Sequence, residues 1–98
     1  MPTITNINGA PDITPCRCGS WLQHWENFSR QNLPYYCPVN GCYQKDLVGA
    51  HVQKAYSLVR RWYIIPLCSR HSESKFNLDV SDTIMFVSAD KSETCERV

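Results

Sequence analysis

Cys37-Pro38-Val39-Asn40-Gly41-Cys42, followed by two strand-like runs and then Cys68-Ser69-Arg70-His71, is the stretch that decides the fold. Asn-Gly is a strong turn signal, because both residues tolerate positive φ, so the Cys37-x4-Cys42 loop can bring its ends together. Val48, Ala50 and Val52 alternate with Gly49, His51 and Gln53, which predicts a half-buried strand over Leu47 to Gln53. Trp62-Tyr63-Ile64-Ile65 is rich in aromatic and β-branched residues and predicts a second strand. Between them Lys54 to Arg61 reads as a loop. A Cys-x2-His pair at a strand-to-helix junction can aim both donors inward, with the helix N-terminus favouring the thiolate. Tetrahedral Zn²⁺ takes four N or S donors at about 2.0–2.3 Å. Cys37, Cys42, Cys68 and His71 are therefore the expected ligands of a first zinc ion. The spacing of four residues in the first pair is less specific than two. A disulfide, or two buried thiols, is the competing reading of Cys37 and Cys42.

Upstream of this unit, Ser20 and Gln23 form a capping-box signature. Trp21, Leu22, Trp25 and Phe28 then recur at helical spacing, predicting an amphipathic helix over 21–29 whose apolar stripe enters the core rather than serving as a stacking platform. Residues 1–15 contain Pro2, Pro11 and Pro15 and no sustained period, so they read as an extended leader in which any strand is short. Downstream, Ser72 to Phe76 suits about two helical turns, and Thr83 to Val87 is a further strand candidate. The expectation is an α+β chain with one zinc-stabilised domain over 16–95, an N-terminal helix, a C-terminal strand, and a short tail at 96–98.

Composition narrows the class. A chain of 98 residues is the size of one independent core. Three Trp, five Tyr and three Phe are too many for a chain that stays solvated. A formal net charge of +1 removes the simplest sign of nucleic-acid binding, although it leaves room for a local basic patch. The first residues lack the basic start and apolar stretch of a secretory signal. Trp62 to Cys68, the longest apolar run, is far short of the ~20 residues that cross a bilayer. The chain thus reads as soluble and cytoplasmic, with no membrane partner, and six Cys in a reducing compartment more often bind metal than pair.

A second group of donors comprises Cys16, Cys18 and Cys95, with His24 or His51 as the fourth. Cys16 and Cys18 are too close in sequence for ordinary disulfide geometry, and two thiolates on one metal suit them better. Six Cys and three His can supply the eight ligands of two closed sites, so one or two zinc ions are expected. The competing reading is a surface Cys95, a solvated His24, and a reactive or disulfide-linked Cys16 or Cys18.

The order of knuckle, hairpin and helix resembles the treble-clef zinc fold. Gly49-Ala50-His51-Val52 and Ile65-Pro66-Leu67-Cys68-Ser69-Arg70-His71-Ser72-Glu73-Ser74-Lys75 look like the first-His strand and the helix entry of HNH, or His-Me finger, endonucleases. The likeness covers Cys37 to Phe76. It implies His51 as a candidate general base. The catalytic pattern is degenerate, however: Ala50 stands where an acidic residue is common, and Ser72 holds the last-His position. His71 falls where the family has its second zinc Cys. If His51 binds a second zinc, the nuclease reading loses its base. The expected function is therefore a non-catalytic module binding DNA or RNA, with Lys54, Arg60, Arg61, Arg70 and Lys75 as the candidate contacts and Tyr56, Trp62 and Tyr63 interleaved. A solvated charged face is the commoner role for such residues. The alternatives are a metal-dependent HNH-like endonuclease, and a protein-interaction module whose zinc is structural.

Overall fold

A computed structural model describes residues 2–6, 20–56, 58 and 61–89. Its elements are β1 (Thr3–Asn6), α1 (Trp21–Ser29), β2 (Leu47–Lys54), β3 (Tyr63–Cys68), α2 (Ser69–Ser72), β4 (Leu78–Asp79) and β5 (Val87–Ser88). All pairings are antiparallel, in the order β4-β1-β2-β3-β5, giving a small α+β fold.

The β2–β3 hairpin is the spine. Its register pairs Val48 with Leu67, Ala50 with Ile65 and Val52 with Tyr63, so these side chains share one face. β3 runs through Pro66 to Cys68, beyond the Ile65 end expected from the sequence. Proline is accepted there because β5 pairs only with Tyr63 and Ile64, which leaves Pro66 on a stretch with a strand neighbour on one side only. Thr3–Asn6, within the segment read as an extended leader, lies between β2 and β4, with Ile4 fully buried.

Gly49 and His51 pair with Pro66 and Ile64, and α1 lies against this second face of the sheet. A Cβ on Gly49 would sit 2.5 Å from the backbone of Trp21 and Leu22, so helix and strand meet with no room for a side chain between them. Ser20 caps the helix, its hydroxyl accepting from the Gln23 N–H at 3.1 Å. The Gln23 side chain bonds Asn27 along the helix, so the reciprocal half of a capping box is replaced by an i,i+4 contact. Trp25 is inaccessible to solvent and clusters with Trp21, Ile64 and Val87, while its Nε1 donates to the Met85 carbonyl at 2.7 Å.

The buried stripe of α1 differs from the expected one. His24 is fully buried, whereas Phe28 is 42% exposed and packs against the His24 ring at 5.1 Å. His24 is accepted in an apolar layer because its Nε2 reaches the Ser88 carbonyl at 2.9 Å. Burial lowers its pKa, which keeps the ring neutral.

On the opposite face Ile4, Ala50, Val52, Ile65, Leu67 and Val80 form the main core together with Cys37 and Cys68. The strand expected over Thr83–Val87 forms only at Val87–Ser88. Thr83 to Met85 bond elsewhere: Gln31 Nε2 donates to the Thr83 carbonyl, Gln31 Oε1 accepts from the Met85 N–H, and the Ile84 N–H donates to the Ser81 carbonyl. α2 is likewise one turn, starting at Ser69, rather than two turns over Ser72 to Phe76. Among the described residues no helix is long and apolar enough to cross a membrane.

Candidate metal centre

The Cys37–Cys42 loop is closed by its own backbone. Cys37 N–H donates to the Gln44 carbonyl at 2.8 Å, Cys42 N–H donates to the Val39 carbonyl at 2.9 Å, and Gly41 takes φ +79°. Asn40 N–H to the Asp79 carbonyl and Ser81 N–H to the Pro38 carbonyl, both 2.9 Å, lash the loop to the chain leaving β4. The second pair of donors comes from the β3–α2 junction. Cys68 ends β3 opposite Leu47 and is the N-cap of α2, its sulfur accepting from the His71 N–H at 3.4 Å. Ser69 anchors the junction through its N–H to the Asp46 carbonyl and its hydroxyl to the Asp46 carboxylate. That hydroxyl holds the Asp46 carboxyl below its ordinary pKa.

These two supports bring four donors together. The ligand atoms of Cys37, Cys42, Cys68 and His71 all lie within 4.8 Å of one another. His71 Nδ1 is 3.2 Å from Cys68 Sγ and 3.6 Å from Cys37 Sγ, and Cys42 Sγ is 4.0 Å from Cys68 Sγ. All three cysteines are free thiols. Cys37 and Cys68 are buried, and Cys42 and His71 are half-buried. Burial pushes the Cys37 thiol up to about 12, and neighbouring Cys68 and Cys42 add to the rise, against backbone hydrogen bonds that oppose it. A bound cation would reverse that balance by replacing the proton, which is how a buried set of thiols becomes a ligand set.

Asn6 is a support that sequence reasoning missed. Its Nδ2 donates to the His71 carbonyl at 2.7 Å and the Ser74 carbonyl at 3.1 Å, clipping α2 to β1 across more than sixty residues of chain. No local pattern signals such a bond. Tyr36 and Tyr43 flank the two loop cysteines, and their rings meet edge to face at 5.6 Å.

The other candidate residues are distributed around this centre. His51 is half-buried in β2, its ring 4.6 Å from Trp21, and its Nε2 is shielded from solvent. Trp21 also contacts His24, at 5.0 Å. Cys16, Cys18, Cys95 and Arg60 lie outside the described residues. Arg70 and Lys75 line clefts beside His71. Lys54 belongs to the other end of the hairpin, where its ammonium lies 5.3 Å from the Tyr63 ring centre and 5.1 Å from that of Phe86. Arg61 is exposed at that end too.

What these observations place together is a compact set of three thiols and one imidazole able to hold a metal ion. No protein-family model, curated protein or solved structure matches the chain.

Proposed function

We propose that this chain is a zinc-stabilised nucleic-acid-binding module, with a treble-clef core similar to that of HNH endonucleases but without their catalysis. The observation that carries the reading is the donor set of Cys37, Cys42, Cys68 and His71 within 4.8 Å. Zinc bonds of about 2.3 Å to S and 2.0–2.1 Å to N imply tetrahedral edges of roughly 3.8 Å between sulfurs and 3.6 Å from sulfur to nitrogen. The separations of 4.0, 3.6 and 3.2 Å lie close to those edges, and the whole set lies within 4.8 Å. Three soft thiolates and one imidazole suit Zn²⁺ among divalent ions. Bound there, the metal would supply a cross-link and no reaction, because four protein ligands leave no open coordination position.

The nucleic-acid part rests on the resemblance and on Arg70 and Lys75 at the clefts beside His71. The non-catalytic part rests on Ala50, on Ser72, and on the shielded Nε2 of His51 packed against Trp21. A second zinc on Cys16, Cys18 and Cys95 with His24 or His51 has one observation in its favour: both imidazoles flank Trp21 close to the start of α1. Two zinc ions per chain, with one lost in His51→Ala, would identify that site and the ligand.

The test of function is anisotropy of labelled DNA and RNA with the zinc-loaded chain at low ionic strength. Binding that weakens steeply with salt is the expected result, and no salt-dependent binding to either overturns the reading. In parallel, plasmid incubated with Mg²⁺, Mn²⁺ or Ni²⁺ should stay intact. Cleavage that disappears in His51→Ala would establish the nuclease instead.

A further inference from the structure

Exposed aromatic rings and cations lie around the metal centre. Tyr43 is 75% exposed and Phe76 is 79% exposed, although each lies within a few residues of a metal-ligand candidate in a well-tied segment. Tyr36 braces Tyr43 edge to face, and the Lys45 ammonium lies 5.5 Å from the Tyr36 ring centre. Phe76 is positioned by its N–H donating to Ser74 Oγ at 3.1 Å, in the segment that Asn6 clips to β1. Tyr43 lines a cleft of about 350 Å³ with Arg70 and His71. Phe76 and Lys75 line another of about 510 Å³ that shares Arg70 and His71, so the two clefts adjoin. Within these linings Arg70 and Lys75 stand against one carboxylate, Glu73, and Lys45 lies outside them, over Tyr36.

We propose that this surface is a track for single-stranded nucleic acid, with bases stacking on Tyr43 and Phe76 and phosphates met by Lys45, Arg70 and Lys75. The proposal rests on the nucleic-acid reading above and specifies its ligand. Every base has a π-face, so exposed rings beside cations bind a strand with little regard to sequence. In a duplex those faces are already stacked, leaving only phosphates for the cations. The track therefore distinguishes strands from duplex. It also differs from the set expected from the sequence: Arg70 and Lys75 remain, Lys54 and Arg61 fall at the other hairpin end, and Tyr43, Lys45 and Phe76 enter.

The experiment uses the full zinc-loaded chain under reductant, with labelled oligothymidylate and oligouridylate of about 12 nucleotides and a blunt duplex of the same length. Tighter binding of either single strand than of duplex is expected. Tyr43→Ala and Phe76→Ala should each weaken the strand complex about tenfold and leave duplex binding and zinc content unchanged. Tyr43→Phe should retain affinity, because stacking needs the ring and not the hydroxyl. Equal affinity for strand and duplex, with Tyr43→Ala inert, overturns the track while leaving the nucleic-acid reading intact. No salt-dependent binding to any probe overturns both.

Discussion

On the α1 side of the sheet, Trp25, Ile64 and Val87 are sealed from water, and two polar atoms there reach backbone carbonyls, Trp25 Nε1 that of Met85 and His24 Nε2 that of Ser88. At the Cys37–Cys42 loop Cys37 is buried and Cys42 half-buried, and the large aromatic residues there, Tyr35 and Tyr43, face solvent. The first region can be held by burial alone. In the second, Cys37 and Cys68 enter the main core, while Cys42 and His71 stay half-buried at its edge. A chain this small buries a modest fraction of its surface, so a cross-link at the half-exposed edge of the core adds to what burial supplies.

Metal removal tests that contrast with the largest effect. Apparent binding energies of structural zinc are about 10 kcal/mol or more, so chelation should release the Cys37–Cys42 loop and α2 far more than α1. Hydrogen exchange checks this: loop amides should lose protection first, and uniform loss across both regions would mean the two are one cooperative unit. The reciprocal variant, Trp25→Ala, should cost about 3–5 kcal/mol in denaturant unfolding, whatever the metal content. Asn6→Ala removes the clip between β1 and the His71 segment. A loss of about 1–2 kcal/mol is expected, together with weaker metal retention in a chelator competition. Unchanged retention would separate Asn6 from the centre. Ser20→Ala should cost about 1 kcal/mol, confined to α1 and without effect on metal affinity.

How much of this was legible depended on distance along the chain. The Asn40-Gly41 turn, the Cys68-x2-His71 pair, the β2–β3 hairpin and the Ser20 cap rest on residues close in sequence, and each appears in the structure. Features set by remote partners were hidden. β1 takes its place between β2 and β4 through backbone bonds that no alternation in Thr3–Asn6 announces. Thr83–Phe86 has the composition of a strand but gives backbone groups to Gln31, Trp25 and Ser81. His24 enters the core because Ser88, in a strand sixty-four residues away, offers its carbonyl. The basic residues are parted by the hairpin itself: Lys54 ends β2 at the turn, whereas Arg70 follows Cys68 at the open end, where Cys68 pairs with Leu47.

Native mass spectrometry of the chain purified under reductant, beside Cys42→Ser, tests the metal centre most directly. Zinc should be retained by the wild-type chain, with one ion fewer per chain in Cys42→Ser. A wild-type chain without zinc, or a variant with the same zinc content as wild type, would contradict the account.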